Sequence, residues 1–185
     1  SYRFAYTGGI LGGTLDFWRM NARAQYYLPI ADLDNTRTLV LAFNIAAWWQ
    51  DVHSDTDEIP FVQRFLLGSN PINGRGVLRG FEYGGVGPSR RGQAIGGNFL
   101  VHGFTEIRLP IFPGTLWLIG FVDAGMLSHT LNTFDPEGIT VSGGFGLRLL
   151  LPVLPVPFAL DFGFPILNQP GNREEVISIN LGFGF

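Results

Sequence analysis

The sequence has no cysteine and no lysine, and its 185 residues include few charged side chains. Without cysteine, the fold cannot depend on disulfide bonds. Charged residues make up 15% of the chain, against about 25% in a typical soluble domain. The net charge of −3 gives no basic footprint for nucleic acid. Because 46% of the residues are hydrophobic, the composition excludes a disordered segment and favours a membrane protein.

The sequence also lacks a long apolar run. A membrane-spanning helix needs about 20 nearly uninterrupted apolar residues, whereas the best run, Leu149 to Leu160, has twelve and includes three prolines. The chain has no G-x-S-x-G, H-E-x-x-H or phosphate-cradling loop, so we predict no enzymatic activity, no metal site and no cofactor. The remaining fold class is an all-β, antiparallel transmembrane barrel.

Apolar and polar side chains alternate along segments of about ten residues, the length that crosses a bilayer as a tilted strand. A soluble β-sandwich would alternate as well. Here, however, the apolar faces are rich in Phe, Leu and Trp, while the polar faces carry small or charged residues that suit a wet lumen. The pattern predicts eight strands: Tyr2–Thr7, Phe17–Pro29, Thr36–Trp49, Asn98–Leu109, Thr115–Ala124, Thr140–Leu151, Val156–Phe164 and Ile177–Phe185.

The predicted connections alternate between short turns such as Ala31–Asn35 and longer loops. In bacterial barrels the long loops are extracellular. The longest, Gln50–Gly92, exceeds 40 residues, and loops of that length are usually functional or disordered.

Several motifs occur in a fixed order between about Ile59 and Phe185. They are Arg64-Phe65-Leu66-Leu67-Gly68, Leu78-Arg79-Gly80-Phe81, Phe104–Pro110, Gly120–Gly125, Gly144–Arg148 and the terminal Phe185. Together they resemble the BamA/TamA-type outer-membrane assembly factors, a superfamily that includes the two-partner secretion translocators. Its mark is an R-G-F/Y motif in the sixth extracellular loop, preceded by R-F-x-x-G. The segment Asn70–Gly76 departs from that pattern as a small insertion.

Family barrels have sixteen strands and follow periplasmic POTRA repeats. The resemblance therefore implies that residues 1–185 form one barrel domain equivalent to the C-terminal half, with the long loop at 50–92. Half a barrel has unpaired edges that lipid does not tolerate. The chain is then part of a longer protein, or a second chain supplies strands, or eight strands close by themselves; we favour the first.

The loop motif predicts an ion pair inside the barrel. A permanently charged guanidinium cannot be buried unpaired, and the alternation turns Glu106 and Asp123 towards the lumen. Pattern alone would leave Arg79 a solvated arginine, but the resemblance implies that the loop folds inwards and Arg79 binds one or both carboxylates. Gly80 would allow close backbone approach. Phe81 is expected to pack on an apolar lumen patch of Trp117, Ile119 and Phe121.

Other side chains receive structural interpretations. Arg148 and Asp161 are expected to form a diagonal pair between neighbouring strands, and His102 to lie near Asp123. The acidic run Asp51, His53, Asp55, Asp57 and Glu58 is expected to be a solvated loop, since it lacks the glycine of a calcium-binding loop. The aromatic residues predicted to mark the membrane interface are Trp18, Trp48, Trp49, Tyr26 and Tyr27.

The last strand presents a continuous apolar face, made of Ile177, Ile179, Leu181, Phe183 and Phe185. Within the resembled family this strand forms a seam that opens sideways and templates a client strand by edge pairing. The resemblance implies an insertion factor of the bacterial outer membrane. Its partners would be the lipid bilayer, client barrels, the upstream barrel half with POTRA repeats, and accessory lipoproteins. The alternatives are a polypeptide translocator, a passive small barrel and the anchor of a lipase domain.

Overall fold

A computed structural model describes residues 1–8, 15–53, 57–69, 77–151 and 154–181. Its strands are β1 (Tyr2–Thr7), β2 (Phe17–Asp34), β3 (Arg37–Val52), β4 (Gly80–Phe81), β5 (Ser89–Arg90), β6 (Gln93–Ala94), β7 (Phe99–Phe112), β8 (Leu116–Ser128), β9 (Thr140–Leu151), β10 (Leu154–Leu167), β11 (Glu174–Glu175) and β12 (Ile177–Leu181). Single 3-10 turns occupy Phe61–Gln63, Leu131–Thr133 and Pro136–Gly138. Among the described residues, no helix has the length and apolarity needed to cross a membrane.

Eight of these strands form one antiparallel sheet in the order β1-β2-β3-β7-β8-β9-β10-β12. This confirms the eight predicted strands, although β2 and β3 are longer than expected. The predicted turn at Ala31–Asn35 shrinks to Asn35 and Thr36. The Asp34 carboxylate explains the tight turn, because it accepts hydrogen bonds from the Thr36 amide at 2.9 Å and the Arg37 guanidinium at 2.6 Å.

The two faces of the sheet differ as the alternation predicts. In β3, Phe43 and Ile45 are 39% and 59% exposed, whereas Asn44 between them is buried. Exposed aromatic and branched side chains on one face suit hydrocarbon, and buried polar groups on the other suit a lumen. We call these the outer and inner faces of the wall.

The wall is open within the described residues. β1 and β12 stand at opposite ends of the strand order and do not pair with each other in the described ranges. Closure by these eight strands alone is therefore not seen.

The long connection between β3 and β7 is hereafter called the long loop, and its described segments lie against the inner face. Its segments pair through isolated bridges at Phe65 with Gly97 and Leu67 with Val86. A buried apolar cluster joins loop to wall, and we call it the loop cluster: Ala46, Trp48, Phe65, Leu67, Leu78, Phe81, Val86, Leu100 and Leu127. Burial of this surface from water stabilises the inward position of the loop.

The aromatic prediction was wrong at Trp48. Trp48 is only 6% exposed and stacks on His102 with ring centroids 5.1 Å apart, so it faces inwards. Consecutive residues of a strand point to opposite faces, and its neighbour Trp49 meets Trp18 edge-to-face at 4.4 Å. Only one of the two adjacent tryptophans can therefore lie at the membrane interface.

Candidate functional site

Arg79 of the long loop is buried at 3% exposure against two carboxylates of the wall. Its Nε donates to Asp123 Oδ2 at 2.8 Å and its Nη2 to Asp123 Oδ1 at 2.6 Å, a bidentate contact. The Arg79 backbone amide also donates to Asp123 Oδ2 at 3.0 Å. Nη1 donates to Glu106 Oε1 at 2.6 Å. The structure thus brings together the three residues that the sequence analysis linked.

Further charges extend this contact into a network across four wall strands. Arg148 Nη1 donates to Asp161 Oδ1 at 2.7 Å, as the predicted diagonal pair, and Asp161 lies 3.8 Å from Arg79 Nη1. Arg108 Nε donates to Glu106 Oε2 at 2.9 Å. The network therefore balances three guanidinium groups with three carboxylates. The alternation of the sequence places Arg108 on the same face of β7 as Glu106, but it did not identify the ion pair between them.

The charge of Arg79 is preserved by its surroundings. Burial by itself would lower the pKa of Arg79, but the carboxylates of Asp123, Glu106 and Asp161 outweigh it and raise that pKa above the ordinary value. The loop is therefore held by a guanidinium group that stays charged beside three carboxyl groups.

The Arg79 guanidinium also stacks on an aromatic ring, and this overturns one prediction. Its central carbon lies 3.6 Å from the centroid of Phe121, a cation–π contact. Phe81 was expected to pack on Trp117, Ile119 and Phe121, but it belongs to the loop cluster instead. Gly80 separates the two side chains with φ of +92°, so Arg79 and Phe81 do not share a strand-like face.

Close backbone contact seats the motif on the wall. A Cβ atom added at Gly163 of β10 would lie 2.5 Å from the Gly80 nitrogen and 2.8 Å from its Cα. The sequence predicted close approach at Gly80 but did not identify its partner. The signal was available in the inner-face glycines of β9 and β10, which leave room for another backbone.

With this geometry, the comparisons with known proteins decide the family. The family model described as the Omp85 superfamily domain matches residues 1–185. The chain belongs to the Omp85 superfamily. Among solved structures it is similar to the crystal structure of BamA from Haemophilus ducreyi lacking POTRA domains 1–3, with 21% identity and a TM-score of 0.70. That match covers 89% of this chain and 36% of the BamA chain, so the chain spans about a third of that protein's length. Among curated proteins, no match is found.

A second anchor of the Omp85 domain's long loop lies between the loop and the β10–β12 connection. Arg173 Nε donates to Glu82 Oε2 at 2.6 Å, and the Glu82 amide donates to the Arg173 carbonyl at 3.0 Å. β4 also pairs with β11 through Phe81 and Glu174. Sequence reasoning missed this anchor because 91 residues separate Arg173 from Glu82.

The remaining predicted residues of the Omp85 domain lie outside the ionic network. His102, expected near Asp123, stacks on Trp48, and within the described residues its ring nitrogens have no hydrogen-bond partner. In the acidic run, Glu58 pairs with Arg64 Nη2 at 2.5 Å, and Asp57 is exposed. Asp55 lies outside the described residues.

The last strand shows the predicted alternation where it is described. β12 pairs with β10 from Ile177 opposite Phe162 to Leu181 opposite Phe158. Ile177 and Ile179 are each 52% exposed, whereas Ser178 is 4% exposed. Phe183 and Phe185 lie outside the described residues, so the end of the predicted seam stays a prediction.

Truncation of Leu67 tests the loop cluster of the Omp85 domain. Leu67 is fully buried, and Leu67→Ala is expected to lower the free energy of unfolding by about 2–5 kcal/mol because a cavity remains. Urea unfolding and protease cleavage within the long loop measure the effect. Val62→Ala is the control, since Val62 is 83% exposed. Equal behaviour of the two variants would show that the cluster does not hold the loop.

Proposed function

We propose that this Omp85 domain belongs to an outer-membrane factor that folds client β-barrels into the bilayer. Membership of the superfamily and the BamA-like fold support an outer-membrane barrel concerned with protein insertion or secretion. The finer proposal is that clients are templated at a seam in the wall. No covalent chemistry, metal or cofactor enters this mechanism.

The observation that carries the proposal is the occupied inner face. Arg79 is held there by Asp123 and Glu106, and the loop cluster packs around the motif. A polypeptide passing through the lumen would have to displace a buried ion network, which leaves uncompensated charges at high cost. Templating of client strands at a seam in the wall requires no such displacement, so the geometry favours insertion over translocation.

The described part of β12 supports templating at its edge. It pairs with β10 on one side, and in the described residues no other strand pairs with it. A free strand edge presents backbone donors and acceptors that an extended segment satisfies by adding a strand. The exposed isoleucines of the outer face would keep such a client strand in contact with lipid.

The implied partners follow from this mechanism. They are the bilayer, unfolded client barrels, an upstream barrel half with POTRA repeats that completes the wall, and accessory lipoproteins. The localisation proposed for the chain is the bacterial outer membrane.

A reversible lock on the long loop distinguishes insertion from translocation. The Glu82 amide donates to the Arg173 carbonyl at 3.0 Å, so the two backbones are close enough for a disulfide bond. Residues 1–185 contain no cysteine, so Glu82→Cys with Arg173→Cys introduces one cysteine pair into this domain. In liposomes containing the full-length protein, client folding is expected to proceed at the same rate with the lock oxidised or reduced. Folding is followed by the shift of the client band on gels run without heating.

The single-cysteine variants serve as controls for the oxidant. Loss of client folding on oxidation, restored by reductant, would contradict the proposal that the loop stays in place during insertion. Passage of an extended polypeptide that stops on oxidation would establish the translocator. Client folding no faster than in empty liposomes would indicate a passive barrel or anchor.

A further inference from the structure

The outer face of the wall carries a cavity of about 680 Å³ that extends across β2, β3, β7 and β8. We call this cavity the outer hollow. Its floor includes Ala24, Ile45, Gly103 and Ala124. In the described part of the chain, no carboxylate or guanidinium side chain lines it. The outer hollow takes no part in the ion network, the loop cluster or the edge of β12.

Strand register shows that the hollow faces outwards. Ile45 pairs with Ala24 on β2 and with Gly103 on β7, and Gly103 pairs with Ala124 on β8. Paired residues point to the same face of a sheet, and Ile45 is one of the exposed residues of the outer face, at 59% exposure. Because Gly103 and Ala124 have almost no side chain, the wall is recessed there. The adjoining row across the outer face carries larger side chains, those of Tyr26, Phe43, Thr105 and Val122.

The connection between β8 and β9 covers one end of the hollow. This connection lies at the same end of the wall as the long loop, and its residues Phe134 and Ile139 line the cavity. The Phe134 ring meets Phe99 of β7 edge-to-face, with the centroids 5.4 Å apart. A Cβ atom added at Gly138 would lie 3.4 Å from the Met126 sulfur. The hollow is therefore bounded by the wall and by a second segment packed closely against it.

The hollow lies at the depth of lipid acyl chains. Trp18 and Trp49 form the aromatic contact of the outer face, and such tryptophans mark the headgroup level. Trp49 pairs with Phe99 at the start of β7, and the β7 residues that line the hollow, Val101 to Thr105, follow further along the strand. With a rise of about 3.3 Å per residue and a tilt of about 45°, they lie about 5 to 14 Å below the tryptophans. Half of a hydrocarbon core is about 15 Å thick, so the hollow falls within the leaflet on the side of the long loop.

We propose that the outer hollow binds one acyl chain of a lipid in the outer leaflet. The cavity volume falls within the range of about 300–1,000 Å³ that is typical of small-ligand sites, and a lining without carboxylate or guanidinium groups suits hydrocarbon rather than a headgroup. At the hollow, β3, β7 and β8 each pair with a strand on both sides, so their backbone offers no edge to a client strand. A lipid chain needs only apolar contact. The inference rests on the proposed outer-membrane setting.

Lipid retention is measured by native mass spectrometry of the full-length protein in neutral detergent with added dipalmitoylphosphatidylethanolamine. Ala124→Leu places a larger side chain in the hollow and is expected to weaken retention of one lipid about tenfold, the effect of leaving about two methylene groups of the chain unburied. Ala22→Leu is the matched control and should retain the lipid as wild type does, because Ala22 is exposed on the same face of β2 but does not line the hollow. The assay does not involve client folding, so its failure would leave the insertion proposal standing.

Phe134→Ala tests the same site without a change in the wall. Phe134 is 43% exposed, so this variant should show the heat-induced mobility shift of wild type and still retain the lipid about fourfold more weakly, the effect of about one unburied methylene group. Equal retention by wild type, Ala124→Leu and Phe134→Ala would overturn the proposal. So would equal retention of dihexanoylphosphatidylethanolamine, which marks recognition of the headgroup, or displacement of the lipid by an unfolded client barrel at equal concentration, which marks a polypeptide site.

Discussion

Replacing Arg79 by alanine is expected to lower the free energy of unfolding by about 3–5 kcal/mol, because removing one partner leaves buried charge uncompensated. Asp123 would lose a bidentate contact, and Glu106 its 2.6 Å hydrogen bond. Loss of the guanidinium also exposes the face of Phe121 on which it stacks. The expected result is less folded protein and a lower temperature of the heat-induced mobility shift.

Two further variants show whether the loss of stability comes from the bidentate contact of Arg79 or from loss of any ion pair. Arg79→Lys should recover little stability, since an ammonium group cannot reproduce the two parallel hydrogen bonds to Asp123. Arg37→Ala removes an ion pair with Asp34 whose side chains are 40% exposed, so it should change stability little. If Arg79→Ala and Arg37→Ala unfold at the same temperature, the ion network does not hold the loop in place.

Gly163→Ala is expected to lower the free energy of unfolding by about 1–3 kcal/mol through overpacking alone. The added methyl group would lie 2.5 Å from the Gly80 nitrogen, and neither backbone can yield without moving the Arg79 motif away from Asp123. Urea unfolding of the reconstituted protein measures the change.

Gly120→Ala is the matched control for Gly163→Ala. It makes the same substitution in a wall strand, where the new Cβ meets only the Ile107 Cγ2 methyl group, at 3.3 Å, and no backbone atom. An equal loss of stability in both variants would mean that alanine is poorly tolerated in the wall generally. The contact between Gly80 and Gly163 would then have no special role.

The strands of the wall could be predicted from the sequence because successive residues of a β-strand face lipid and lumen in turn, so apolar and polar side chains alternate. Parity alone placed Glu106 and Asp123 on the inner face, and the diagonal pair of Arg148 with Asp161 followed from neighbouring strands. The inward position of Arg79 needed more than parity, since an isolated loop arginine is usually solvated. Resemblance to a family supplied that step.

Other features depend on the path of the long loop, and the loop sequence has no hydrophobic periodicity from which that path could be predicted. The φ of +92° at Gly80 sends Phe81 into the loop cluster rather than onto the patch beneath Arg79. The contact between Arg173 and Glu82 joins segments far apart in the chain, so no local pattern predicts it. Trp48 and Trp49 were both assigned to the interface from composition, although alternation permits only one of them.

Cysteine accessibility tests most directly whether the long loop lies inside the wall. Leu78, next to Arg79, is fully buried, whereas Val62 on the same loop is 83% exposed. The sequence has no cysteine, so Leu78→Cys and Val62→Cys each introduce one thiol into this domain. With a membrane-impermeant maleimide on the folded full-length protein in liposomes, Val62→Cys should react rapidly and Leu78→Cys only after unfolding. Equal rates in the folded protein would contradict the account.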